Sequence, residues 1–234
     1  MPKLIAALIR HADYRQRPDT PSAHQPFPLS GEGEAQARQA GVALRDAVTR
    51  NGWTLSAELD SSPLLRAWQT AQIIGAALAD LFPNPAQVNA YEALAERGLG
   101  SANNLSIKQI EAVIHDDPRF PDLPADWKSN SRFCLPLLGA ESLLESGERV
   151  ARHMEQQMAT LASHTEVDTL KLFVGHGAAF RHAAYHLGVL PFEQIARLSM
   201  FHATPVYLEY RPASGWQHIA GAWKVRNTGS AYTD

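Results

Sequence analysis

Two histidines stand at the carboxyl ends of two apolar runs, and an arginine immediately precedes one of them. Leu4-Ile-Ala-Ala-Leu-Ile9 stops at Arg10-His11, and Leu170-Lys-Leu-Phe-Val174 stops at Gly175-His176-Gly177. Short apolar runs bounded by polar residues read as buried strands, and in open α/β sheets ligands bind beyond the carboxyl ends of the strands. A lone histidine at a strand end is commonly a hydrogen-bonded structural residue. Two such imidazoles with a guanidinium beside one of them suit a shared anionic group, which makes their partners decisive.

Two other segments supply partners. Asp60-Ser61-Ser62-Pro63 reads as a helix start, with Ser62 as N-cap and Pro63 at the first helical position. Arg66 then lies about one turn inside, beside the free backbone N–H groups and the positive end of the helix dipole, a place suited to phosphate. Glu96-Arg97 follows a strand-like stretch, Val88 to Ala95, and points to the same place.

The elements that position these groups alternate in type. Ser30 caps a helix to about Arg50, with Glu32 and Glu34 at its positive end, apolar steps Ala37, Ala40, Leu44, Ala47 and Val48, and a stop at Asn51-Gly52. Trp53 to Leu59 reads as a strand. The helix after Pro63 carries the stripe Ala67, Ala71, Ile74, Leu78, Leu81, and a further helix spans about Ser142 to Ser163. Another opens after His176-Gly177, and hairpin strands are expected near Val206 to Tyr210 and Gln217 to Trp223. Between about 98 and 140 the chain is irregular apart from a short helix, Ser106 to His115, so this stretch reads as an inserted cap or lid. The expected fold is a three-layer α/β/α sandwich with a mostly parallel sheet, one domain over residues 1–234 interrupted by that insertion.

Bulk properties narrow the function. The chain has 234 residues, 45% of them hydrophobic, enough for a core without staples. Its single cysteine, Cys134, excludes an internal disulfide and cysteine-based zinc patterns, and suits a reducing compartment, by default the cytoplasm. A net charge of −3 with no Lys/Arg block argues against nucleic acid, and the six-residue N-terminal run is too short for a signal core or a membrane span. No Walker loop or dinucleotide fingerprint occurs, so no nucleotide cofactor is expected. His182 and His186 have zinc-compatible spacing but no intervening Glu and no evident third ligand, so no metal is expected either. Trp127, Lys128 and Arg132 in the insertion are candidates for lining a substrate mouth.

Taken together, Leu8-Ile9-Arg10-His11, Leu29-Ser30 with Gly33 and Gln36-Ala37, Ser61-Ser62-Pro63-Leu64-Leu65-Arg66-Ala67 with Gln69-Thr70-Ala71, Leu94-Ala95-Glu96-Arg97 with Gly100, and Val174-Gly175-His176-Gly177 resemble the histidine phosphatase superfamily. The likeness is to the branch holding phosphoglycerate mutases and related phosphatases, and covers most of the chain outside the insertion. It implies a phosphoglycerate mutase-like fold with His11 as nucleophile, forming a phosphohistidine. Arg10, Arg66 and His176 would grip the phosphoryl oxygens, and Glu96 would act as general acid and base. Arg97, Tyr14, Arg17 and Gly177 would contact the substrate.

Departures from the mutases are informative. Ala12 replaces Gly after the nucleophile, tolerable unless that backbone needs positive φ. Tyr14, Arg17 and Ala178 stand where mutases carry Ser, Asn and Asn around the phosphoglycerate, which argues for a phosphatase over a mutase. Gly177 after His176 removes the His-Asp motif of the other branch, which disfavours a phytase-like enzyme. The expected ligand is a small phosphorylated molecule or a phosphorylated protein, with a non-catalytic phospho-ligand binder as the alternative of another class.

Overall fold

Alternate residues of the first strand serve two different cores, and the whole architecture follows from that period of two. The computed structural model describes residues 2–226. In β1 (Leu4–Arg10), Ile5, Ala7 and Ile9 join one apolar cluster, while Leu4, Ala6 and Leu8 join another on the opposite face. Helices α1 (Gly31–Asn51) and α2 (Leu65–Ala77) cover the first face; α4 (Leu143–Ala162) and α5 (Gly177–His186) cover the second. The result is the expected three-layer sandwich.

The sheet runs β3-β2-β4-β1-β6-β7, with β2 (Thr54–Ser61), β3 (Gln87–Ala90), β4 (Thr169–Gly175), β6 (Pro205–Arg211) and β7 (Gly215–Ala220). The pairs β2–β3, β2–β4 and β1–β4 are parallel, and the C-terminal hairpin adds antiparallel to β1. A two-stranded ribbon of β5 (Leu198–Ser199) and β8 (Lys224–Val225), and the single turn α6 (Phe192–Ile195), were not anticipated. Among the described residues no helix is long and apolar enough to cross a membrane.

Local signals place most helix ends. Ser30 and Ser142 cap α1 and α4 by accepting from Gly33 N and Glu145 N, and Gly52 ends α1 at φ 66°. Helix α3 (Ile107–His115) has a complete capping box on Ser106 and Gln109.

Three expectations need correction. Helix α2 starts after Leu64, its extended N-cap residue, and not after Ser62, whose hydroxyl is engaged by His176 and by Leu64 N. Strand β3 ends at Ala90. A tight 3₁₀ turn over Glu92–Leu94 follows, because the fully buried Leu94 must swing into the α4/α5 core. Strand β7 stops at Ala220, before Trp223, where Gly221 turns at φ 80° against the Pro205 carbonyl.

Residues 98–140 pack around a small core of their own, formed by Leu99, Ala102, Ile110, Trp127 and Leu135. Ala23, from the loop 15–28, completes it. Trp127 is only 2% exposed, so it stabilises this segment, and it lines a hollow within the insertion with Glu111, Ala112, His115 and Leu123. Lys128 beside it is half-buried, and Arg132 lies 4.8 Å over the ring of Phe192.

The second core holds a charged group. Lys171 on β4 donates to Asp60 Oδ1 (2.7 Å) and His153 on α4 donates to Oδ2 (2.8 Å), with the Asp60 side chain fully buried. Removing the shared carboxylate strands the Lys171 charge in low dielectric, whereas replacing the Asp60–Lys171 pair with apolar groups does not. We expect Asp60→Leu to cost roughly 3–5 kcal/mol in urea unfolding. The pair Asp60→Leu/Lys171→Met should recover most of that loss.

Candidate active site

The seven-residue parallel pairing of β1 with β4 ends at Arg10 opposite Gly175, and His11 N donates to Gly175 O (2.8 Å). Two strands finishing at one level leave their next residues, His11 and His176, side by side. The ring centroids lie 5.1 Å apart, and both residues are essentially fully buried. Tyr14 meets the His11 ring edge-on at 5.3 Å, and His202, from the turn before β6, lies tilted over it at 5.6 Å.

Hydrogen bonds set both tautomers. A carbonyl only accepts, so His11 Nδ1 must carry the proton it gives to Ala12 O (2.8 Å), leaving Nε2 with its lone pair free. Arg66 Nη2 only donates, so His176 Nδ1 accepts from it (3.3 Å) and Nε2–H donates to Ser62 Oγ (2.8 Å). Burial lowers the pKa of both rings well below the usual imidazole value. Arg66 is the largest charge contribution for each, with further repulsion from Arg10 at both rings and from Arg149 at His176. Both rings are neutral at neutral pH.

The sequence motifs around His11 act as a brace. Thr70 Oγ1 accepts from Ala12 N (3.0 Å) while donating to Arg66 O, and Gln36 Oε1 accepts from Asp13 N (2.9 Å). Ser30 donates to Asp13, and Gln69 Oε1 accepts from Leu29 N. A Cβ on Gly33 would run into the Asp13 carbonyl, so only glycine lets α1 close on this turn. Ala12 has no positive φ, which removes the concern raised by its replacing glycine.

Arg10 and Arg66 both face His11. Arg10 Nη1 donates to Met200 O (3.0 Å), and a Cβ on Gly177 would stand 3.1 Å from Arg10 Cδ, so the small residue opens α5 beside that side chain. His176 is the N-cap residue of α5, which brings the positive end of that helix to the site. Arg66 is fully buried, with Nη1 on Gln25 O (2.9 Å), Nη2 on Ala23 O (2.7 Å) and its guanidinium 4.6 Å over the Tyr14 ring. Its buried Nε has no partner among the described residues.

Glu96 is 5% exposed, and its Oε1 accepts from Arg97 N (2.9 Å). Arg149 on α4 holds this turn from below, donating to the carbonyls of Glu92, Ala93 and Ala95 and pairing with Glu141. Arg97 is buried, which lowers its pKa, with the Glu96 carboxylate the largest charge opposing that shift. The Tyr14 hydroxyl meets Ser22 (2.8 Å), and burial raises its pKa. Arg17 is exposed and reaches the Asn104 carbonyl of the insertion, with no contact to His11. Glu92, four residues before Glu96, is exposed.

His182 and His186 do not form a metal pair. His182 donates to Ala178 O and accepts from Ser131, while His186 donates to Leu144 O. Sequence reasoning missed Ser62 as a histidine partner, and it missed His24, Arg149 and His202. Each meets the site through contacts far apart in the chain, so no local spacing announces them.

Depressed imidazole pKa values predict acid lability. The unfolded chain binds protons on His11 and His176 near pH 6.5 and below, while the folded protein refuses them, so unfolding gains protons and stability falls as pH falls. His182, lowered to about 3 chiefly by burial, adds to this. Each ring should remove about 1.4 kcal/mol per pH unit once pH is below about 6.5, read from urea unfolding between pH 7 and 5. A flat profile would show that the rings are charged in the folded state.

Comparison with known proteins gives one family model and many solved structures, and no match among curated proteins. A structure described as mycobacterial hydrolase 2 superposes with TM-score 0.69 at 21% identity, covering 98% of this chain and 94% of that one. The mycobacterial glucosyl-3-phosphoglycerate phosphatase superposes at 0.64 with 21% identity, over 98% of this chain and all of that one. The α-ribazole phosphatase of Shigella flexneri superposes at 0.65 with 19% identity, over 96% of each chain. At these identities the likeness establishes the phosphoglycerate mutase-like fold. The family model, histidine phosphatase superfamily (branch 1), matches residues 6–219, so the chain belongs to that superfamily.

Proposed function

We propose that the protein is a phosphatase that hydrolyses a phosphomonoester through a phosphohistidine on His11. One observation carries this reading: the His11 ring is held neutral, with Nδ1–H tied to Ala12 O and Nε2 free, inside a cluster of cations. A neutral imidazole nitrogen is a competent nucleophile, and a positive pocket suits the phosphoryl group it attacks.

In the first step His11 Nε2 attacks phosphorus, and the P–O bond to the leaving group breaks as Glu96 gives that oxygen a proton. In the second, water attacks the phosphohistidine, Glu96 takes the water proton, and the P–N bond breaks to release phosphate and restore the neutral ring. Arg10, Arg66 and the α5 N-terminus stabilise the phosphoryl oxygens. His176 joins them once the dianion offsets the burial and the cationic field that keep its ring neutral, so that Nδ1 can carry a proton. These groups supply the charge stabilisation that a metal supplies elsewhere, and the reaction as written needs none.

Phosphatase chemistry is favoured over mutase chemistry by Tyr14. Its hydroxyl is engaged by Ser22 and its ring by His11 and Arg66, so it fills space where a mutase presents a small polar contact. The names borne by the structural neighbours make phosphorylated sugar and ribazole compounds sensible first substrates. We expect cytoplasmic location, and substrate choice set by the loop 15–28 with the 98–140 insertion.

His11→Ala should lose on the order of 10⁴-fold or more in kcat while keeping its fold. Wild-type enzyme given labelled substrate and quenched in alkaline detergent should carry phosphate that is base-stable and acid-labile. Label on Ser or Asp, or substantial activity in His11→Ala, would refute the mechanism.

Glu96→Gln keeps size but cannot donate a proton. It should slow alkyl phosphates about 10²- to 10⁴-fold in single turnovers and p-nitrophenyl phosphate far less, since the phenolate leaves unaided. Arg66→Lys loses the forked donor and should slow both substrates by similar factors. Equal slowing by Glu96→Gln would assign the acid elsewhere.

A further inference from the structure

His24 lies in none of the sequence motifs, yet its ring sits between the Glu96 turn and the insertion. His24 Nε2 is 2.9 Å from Glu96 O, and His24 Nδ1 is 3.4 Å from Asn103 Nδ2. Leu99 N donates to Asn103 Oδ1 (2.9 Å), which fixes the amide so that its NH₂ faces the ring. Nδ1 must therefore accept, and Nε2 must carry the hydrogen that it donates to Glu96 O. One directed relay results, from Leu99 N–H through Asn103 and the His24 ring to the Glu96 carbonyl.

That carbonyl belongs to the peptide joining residues 96 and 97, and the N–H of the same peptide donates to Glu96 Oε1. A peptide is planar, with its C=O and N–H pointing opposite ways. Holding the carbonyl with His24 thus aims the N–H on which the Glu96 carboxylate leans. Turning the plane would swing the carboxylate off the reacting oxygen. The ring itself is held on both sides of the chain, because Arg66 clamps the Ala23 and Gln25 carbonyls that flank it. Gly98 keeps room for it: a Cβ there would stand 3.3 Å from His24 Cε1.

We propose that His24 is a positioning residue for the general acid, setting Glu96 through the 96–97 peptide plane and making that alignment depend on the seated insertion. The inference rests on the phosphatase reading and on Glu96 as its acid. Displacing a carboxylate by about an ångström costs on the order of 10²-fold in rate. His24→Phe keeps the ring volume and loses both hydrogen bonds; His24→Gln keeps a donor and an acceptor; Asn103→Leu cuts the relay at the insertion.

The experiment compares an alkyl phosphate with p-nitrophenyl phosphate in single turnovers. His24→Phe and Asn103→Leu should slow the alkyl ester about 10- to 100-fold and the phenyl ester less than about 3-fold, and His24→Gln should recover most of the loss. In the double variant His24→Phe/Glu96→Gln the leaving-group effect should equal that of Glu96→Gln alone, since both act through one proton. Equal slowing of the two esters by His24→Phe, or additive effects in the double variant, overturns the proposal while leaving Glu96 as the acid. Absence of any leaving-group effect in Glu96→Gln overturns the acid assignment and this inference with it. A measurement independent of turnover is ¹⁵N-histidine NMR of the wild-type protein, where His24 should be the neutral Nε2–H tautomer; an Nδ1–H tautomer refutes the relay.

Discussion

The in-register parallel pairing of β1 with β4 is the constraint on which the site depends. Hydrogen bonding continues one residue past the strand, from His11 N to Gly175 O, so the two chains end at a common level. Ser62 N donates to Val174 O in the same way from the β2 side, which brings the His176 partner into line. A slip of one residue in either pairing would reverse which face each side chain meets and separate the rings. The apolar alternation of β1 guards against it, because both faces of that strand are buried in different cores.

The pocket is made electropositive by placement and not by composition, since the chain carries a net charge of −3. Arg10 and Arg66 converge on two uncharged rings, and Glu96 brings a carboxylate whose charge reaches Arg66 and Tyr14. Cations crowded in a dry space keep each other's neighbours neutral, which is how the site holds two unprotonated imidazoles without a base to deprotonate them. The charged groups in the opposite core solve the reverse problem. Asp60 is shared by Lys171 and His153, so every charge there has a short partner.

The residues that end apolar runs were legible in the sequence because burial on both faces leaves a strand no polar position until it emerges. Arg10, His11 and His176 stand out for that reason, and Ser30, Ser106 and Ser142 stand out because capping is a local matter of three residues. Ser62 shows the limit: the same Ser-Pro signal that marks a helix start served here to hold His176, and spacing cannot tell the two apart. Arg149 and His24 reach Glu96's turn from positions 53 and 72 residues away, along lines that only the folded chain draws. Lys171 did leave a trace, a lone charge inside Leu170-Lys-Leu-Phe-Val174, which on a buried strand demands a counter-charge that the linear pattern does not name.

Arg66 spends two of its N–H groups on the carbonyls of Ala23 and Gln25, while the Ala23 methyl packs into the core of the insertion. The loop proposed to choose the substrate and the cation assigned to hold its phosphate are therefore one mechanical unit. Evolution cannot retune one without disturbing the other. Sequence changes that reshape the 15–28 loop would carry a toll in phosphate affinity, so divergence of specificity on this scaffold is steered toward the parts of the insertion that Arg66 does not reach.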